Sequence, residues 1–193
     1  MFAALQALLN SLAVSFDLPI LDWIQAHLQC TFLDKAMPIV TLFGDGGVFW
    51  ILVAVALLFF AKYRKTGFSM GMALILGLLV CNIFLKPQVA RIRPYNFQLQ
   101  EYGREITLLV KGLNDYSFPS GHTACAACAM LAILLPTVCK RLRGKERLCL
   151  IIGAVWTAVV AFSRLMMGAH FLTDVTAATA ITLGIAWLGI WLC

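Results

Sequence analysis

Residues 68–85 read FSMGMALILGLLVCNIFL, 18 residues without a formal charge. At 1.5 Å per residue, a helix of that length reaches about 27 Å, close to the roughly 30 Å hydrocarbon core of a bilayer. Lys62, Arg64 and Lys65 precede the run and Lys86 follows it, so it reads as a transmembrane helix bounded by cations. Working outward, further apolar stretches run from about Ala36 to Ala61, Gly121 to Cys139, Leu148 to Met167, and from Thr173 to Cys193. Gly44-Asp45-Gly46-Gly47 marks a break or close packing near one surface. The stretch Phe2 to Phe16 alternates apolar residues with Gln6, Asn10, Ser11 and Ser15 and is short for a crossing, so it reads as an interfacial helix. The expected fold is an all-α, polytopic membrane helical bundle of five to six transmembrane helices plus a short N-terminal interfacial helix. Residues 1–35 form the interfacial segment and 36–193 the membrane-embedded domain.

Composition agrees with this reading. Of the 193 residues, 62% are hydrophobic and 12% charged, against roughly 45–50% and 25% in a soluble domain. A free-standing soluble enzyme is excluded. The net charge of +6 comes from short scattered groups of Lys and Arg and forms no continuous basic face, which argues against nucleic-acid binding. The seven cysteines sit mostly in apolar runs and read as small hydrophobes. Cys125 and Cys128 form a C-x-x-C without a second ligand pair, so neither zinc nor redox chemistry is expected. No signal peptide is expected, because the first basic residue is Lys35. Two tight loops, Lys62 to Lys65 and Lys140 to Arg147, hold eight Lys or Arg beside one acid, Glu146. By the positive-inside rule they are cytoplasmic, and the opposite end faces the periplasm or exterior.

Three polar clusters lie on that outward end. The first is Lys86 with Arg93-Pro94, the second Pro119-Ser120-Gly121-His122, the third Ser163-Arg164 followed by His170 and Asp174. His170 and Asp174, four residues apart, are expected on one face of a helix. The carboxylate then holds one ring nitrogen and leaves the other free to attack phosphorus. Ser120 stands where a helix N-cap belongs, and Gly121 lets the backbone approach a phosphate oxygen at the helix start. His122 suits protonation of a leaving oxygen and later activation of water. Lys86, Arg93 and Arg164 supply three cations for the charge of a phosphoryl group, the Arg forks being capable of bidentate contact. No clustered carboxylates are present to hold magnesium or zinc, so no metal and no cofactor is expected. Arg91 reads as a loop or headgroup contact and Asp45 as a packing or capping group, with a part in the site left open for each. Ala124, Cys125, Ala127, Cys128 and Ala129 read as scaffold that lets helices approach closely.

In order and spacing these clusters closely resemble the three-part signature of the type 2 phosphatidic-acid phosphatase superfamily, over roughly Lys86 to Asp174. The resemblance implies a membrane lipid phosphatase with His170 as nucleophile and His122 as general acid and base. It also points to a small bacterial member that hydrolyses undecaprenyl diphosphate to undecaprenyl phosphate. Phosphatidate and phosphatidylglycerol phosphate remain alternative substrates, because all three clusters address phosphate and none the lipid. Transfer of the phosphoryl group to an alcohol and a non-enzymatic lipid transporter stay open as other classes. The expected partners are the lipid phosphate or diphosphate and the surrounding membrane lipids.

Overall fold

The computed structural model describes residues 2–104, 109, 113–134 and 146–191, and among these every regular element is helical. The elements are α1 (Phe2–Leu12), α2 (Leu18–Leu28), α3 (Thr31–Leu42), α4 (Val48–Phe59), α5 (Arg64–Gly77), α6 (Lys86–Val89), α7 (Pro94–Tyr102), α8 (Gly121–Leu134), α9 (Glu146–Met166) and α10 (Leu172–Trp191). The Lys140, Arg141, Arg143 and Lys145 part of the second basic loop lies outside the described residues, as does the end of the expected third span at Cys139. Three helical stretches, Phe2–Leu28, Thr31–Phe59 and Arg64–Tyr102, are long and apolar enough to cross a membrane. Gly121–Ala132, Leu150–Met166 and Leu172–Ala186 are shorter apolar helices.

α8 is the central helix, packed against α5, α9 and α10. Its small residues explain why: Ala124, Ala126, Ala127, Cys128 and Ala129 are buried, and side chains of this size let backbones approach closely. α4 packs on α5 at similarly short range, because a Cβ at Gly67 would stand 2.6 Å from the Ala54 carbonyl oxygen. The outer surface is apolar, with Leu52, Phe68, Ile75, Ile151 and Val155 all exposed. Such a band matches acyl chains and would be a liability in water.

Two expectations change. The stretch read as one span from Ala36 to Ala61 is two helices, α3 and α4, separated by the short 3-10 turn Asp45–Gly47. Gly46 and Gly47 have φ of 58° and 69°, the left-handed region that glycine enters without steric cost, so the glycine cluster turns the chain. The N-terminal segment is longer than a short interfacial helix: α1 and α2 join through a π turn at Ala13–Asp17 into one helical path to Leu28. Leu18, Leu21 and Ile24 pack against Phe97, Leu165, Met166, Phe171 and Val175, which places α2 against the polar end of the bundle.

Candidate active site

The polar clusters meet where α5, α8, α9 and α10 end or begin. α5 continues through a π stretch, Leu78–Leu85, into α6. Ala90 then reverses the chain with φ 49°, the one described non-glycine residue at positive φ. This turn releases Arg91 and Arg93 from the helix, and Pro94 starts α7 at once.

Arg93 is almost fully committed to protein partners. Its Nε donates to the Asp115 carbonyl at 2.9 Å, Nη2 to Asp115 Oδ1 at 2.5 Å, and Nη1 to the Ala169 carbonyl at 2.8 Å. Nη1 also lies 3.3 Å from His170 Nε2. Lys86 Nζ reaches the other oxygen of Asp115 at 2.7 Å. The expected bidentate fork of Arg93 is therefore engaged by Asp115 in this structure. Burial alone would raise the Asp115 pKa, but Lys86 and Arg93 bring it down to about 2. Arg164 presents the free edge instead: Nη1 donates to Thr41 Oγ1 at 2.7 Å, while Nε and Nη2 are buried without a partner among the described residues.

His170 is fully buried in the turn between α9 and α10, ahead of the helix that begins at Leu172. This corrects the expectation that His170 and Asp174 share one helical face. Asp174 sits in the first turn of α10, and its Oδ2 accepts the Phe171 N–H at 2.9 Å while lying 3.5 Å from His170 Nδ1. The i, i+4 spacing serves a cap and a nearby imidazole together. An Arg93 N–H facing Nε2 favours the tautomer with its lone pair there and its proton on Nδ1, toward Asp174. Burial first, then Arg93, Arg164 and Lys86, push the imidazole well below its ordinary value, which keeps it neutral.

His122 lies in the first turn of α8, with Nε2 at 2.6 Å from Asp45 Oδ1. Its ring fits because Gly44 leaves room: a Cβ there would come within 2.8 Å of His122 Cδ2. Ser120 is buried at the α8 start and its Oγ is 3.5 Å from the Thr123 amide. Gly121 packs closely on its neighbour, because a Cβ there would stand 2.8 Å from Asn82 Oδ1.

Lys86, Arg93, Gly121, His122 and His170 line one cavity of about 740 Å³. Ser120, Arg164 and Asp174 do not line it; Ser120 and Asp174 are joined by the Ser120 N–H to the Asp174 carbonyl at 3.3 Å. The same cavity continues along Ile51, Ala54, Val55, Leu58, Phe68, Met72 and Ile75, so its polar end opens into an apolar groove between α4 and α5.

Behind the histidine stands a network the sequence reading missed. Arg91 is fully buried and donates to Asp174 at 2.6 Å, Asp17 at 2.8 Å, Thr173 Oγ1 at 2.7 Å and the Leu9 carbonyl at 2.7 Å. Its guanidinium also stacks 4.0 Å over the Phe171 ring. Arg91 is therefore no headgroup contact, because solvent does not reach it. Asp17 closes the network by accepting the Thr173 amide at 2.9 Å. The one sequence signal for it was the acid at position 17 of an otherwise uncharged N-terminal run.

Two histidines facing one cavity beside lysine and arginine, at the mouth of an apolar groove, have the residue types and order of the three clusters read above. The pattern of the PAP2 superfamily matches residues 66–193. The chain belongs to the PAP2 superfamily. Among its relatives is the undecaprenyl-diphosphatase of Sulfolobus acidocaldarius, 27% identical over 162 residues, covering 84% of this chain and 71% of that one. Phosphatidylglycerophosphatase B of Bacillus subtilis is 32% identical over 149 residues, covering 75% and 67%. The crystal structure of a transmembrane PAP2-type phosphatidylglycerolphosphate phosphatase from Bacillus subtilis superposes with a TM-score of 0.75 at 26% identity, covering 97% of this chain and 89% of that one. The polytopic helical architecture is therefore that of a transmembrane PAP2 protein.

Proposed function

We propose that this PAP2 protein is an integral-membrane phosphatase that hydrolyses a lipid phosphate or diphosphate through a phosphohistidine on His170. The observation that carries the proposal is the single cavity joining His170, His122, Lys86 and Arg93 to the apolar groove between α4 and α5. A headgroup at the polar end leaves its chain in the groove, against side chains that match hydrocarbon.

The chemistry follows from the two imidazoles. The lone pair of His170 Nε2 attacks phosphorus, a P–N bond forms, and the bond to the leaving oxygen breaks. His122, oriented by Asp45, gives that oxygen a proton. His122 then takes a proton from water, whose oxygen attacks phosphorus and releases inorganic phosphate from His170. Asp174, anchored by Arg91, orients His170 and offsets the positive charge its ring gains. Lys86 and Arg93 balance charge on the equatorial oxygens, and Arg164, whose charge reaches His170 from outside the cavity lining, adds to that field.

Catalysis on this account is metal-independent. Among the described residues no three His, Cys, Asp or Glu side chains cluster as metal ligands do, and the three cations do the neutralising. The site faces the periplasm or exterior of the cell membrane, on the strength of the basic loops at the other end. Undecaprenyl diphosphate is the favoured substrate, supported by the Sulfolobus acidocaldarius relative, which covers most of the chain. Phosphatidylglycerol phosphate is the second reading, supported by the Bacillus subtilis relative and structure. Phosphate release by purified protein from undecaprenyl diphosphate, phosphatidate and phosphatidylglycerol phosphate tests both. Highest kcat/KM on undecaprenyl diphosphate is expected; release from none of the three overturns the phosphatase reading.

A further inference from the structure

Asp115 spans the cations assigned above to the substrate. One carboxylate oxygen meets Lys86 at 2.7 Å and the other meets Arg93 at 2.5 Å. With its Nε, one Nη2 hydrogen and Nη1 directed at protein atoms, Arg93 keeps one N–H outside these contacts. A phosphate taken up by both Lys86 and Arg93 thus meets a carboxylate already in the clamp. Half of the Asp115 side chain is exposed, while those of Lys86 and Arg93 are 13% and 3% exposed, so the acid is the partner free to leave.

A second polar space adjoins it. Asp115 lines the catalytic cavity and also a neighbouring cleft of about 390 Å³ formed with Tyr95, Asn96, Gln100 and Tyr116. Its backbone stays put: its carbonyl accepts Arg93 Nε, the Tyr95 hydroxyl bonds Leu113 on one side, and the Ser117 amide donates to the Arg91 carbonyl on the other. The cleft gives the carboxylate a second polar space within reach of a side-chain rotation.

We infer that Asp115 is a displaceable internal counter-ion, a specificity-determining residue that yields the Lys86–Arg93 clamp to a dianionic phosphate and withholds it from a monoanionic phosphodiester. The inference rests on the phosphatase reading and adds a selection rule to it. Bulk membrane phospholipids are phosphodiesters with one charge on the phosphate, and they crowd the mouth of any groove open to a bilayer. A ligand must out-compete the carboxylate, and a terminal phosphate does so with its greater charge. Two charge-assisted contacts from a half-exposed acid set that competition at roughly five- to thirtyfold in affinity.

The test is inhibition of phosphate release by inorganic phosphate and by dioleoyl phosphatidylglycerol in mixed micelles, for wild type, Asp115→Asn and Asp115→Ala. Both variants are expected to bind inorganic phosphate roughly five- to thirtyfold more tightly, and to become competitively inhibited by phosphatidylglycerol at concentrations that leave the wild type unaffected. Asp115→Glu is expected to keep the wild-type pattern. Unchanged or weaker phosphate binding in both variants overturns the counter-ion role and leaves the phosphatase reading standing. A wild type that releases no phosphate from any lipid overturns the reading and the inference together.

Discussion

Arg91→Met removes the centre of the buried network behind His170 while keeping most of the side-chain volume. Four hydrogen bonds of 2.6–2.8 Å and a stacking contact at 4.0 Å disappear. Asp17 and Asp174, both fully buried, are left without their shared cation. Stranding a buried charge by deleting its partner costs about 3–5 kcal/mol. For a chain of this size that is a fall in Tm of roughly 6–20 °C, at 2–4 °C per kcal/mol. Asp174 also loses the anchor that aims it at His170, and misplacement on the scale of 1 Å costs about 10²-fold in turnover. Thermal unfolding in detergent, followed by tryptophan fluorescence, and phosphate release from a short-chain lipid phosphate read the two effects separately. Adding Asp17→Asn to Arg91→Met removes one stranded charge, so the double variant is expected to regain part of the lost stability and little of the lost activity. An Arg91→Met protein that melts with the wild type and turns over at its rate refutes the claim that this network positions the nucleophile.

Other consequences are open to measurement. His122→Ala is expected to lower kcat by about 10²–10⁴-fold, and Asp45→Asn by less, with the double variant no worse than His122→Ala; additive losses would mean that Asp45 acts independently of His122. Because burial and neighbouring cations hold His170 below its ordinary value, the acid limb of kcat/KM for the nucleophile lies below about pH 6.5. Arg93→Met takes away one of the cations that disfavour the imidazolium, so the limb should move to higher pH; a limb that stays or falls contradicts the electrostatic argument. Prolonged chelator treatment is expected to leave turnover unchanged, and loss restored by magnesium alone would overturn charge neutralisation by Lys86, Arg93 and Arg164.

Much of the architecture was legible because bilayer burial acts on composition: an uncharged run such as 68–85 has few other fates, and the break at Gly44 to Gly47 showed as a glycine cluster. The polar clusters stood out for the same reason, since Lys86, Arg164 and His170 sit where charge is costly unless used. What escaped reading depends on contacts between distant segments. Asp17 and Arg91 lie 74 residues apart, and nothing local marks either as the other's partner. The i, i+4 spacing of His170 and Asp174 fits a helical face and a capping turn equally well, and only the start of α10 at Leu172 separates them. The close approach of Asn82 to Gly121 has the same origin, since Asn82 lies in the π stretch that continues α5. Nothing local marks Asp115 either, because its significance lies in the two cations it bridges.

The central claim, covalent catalysis at His170, is tested most directly by rapid-quench labelling. The enzyme is mixed with lipid substrate carrying a radiolabelled terminal phosphate, quenched in alkali within one turnover, and mapped by peptide. The account predicts an acid-labile, alkali-stable phosphate on the peptide containing His170, absent from inactive His170→Ala. Label on another residue, or a His170→Ala protein that still releases phosphate at the wild-type rate, would contradict it.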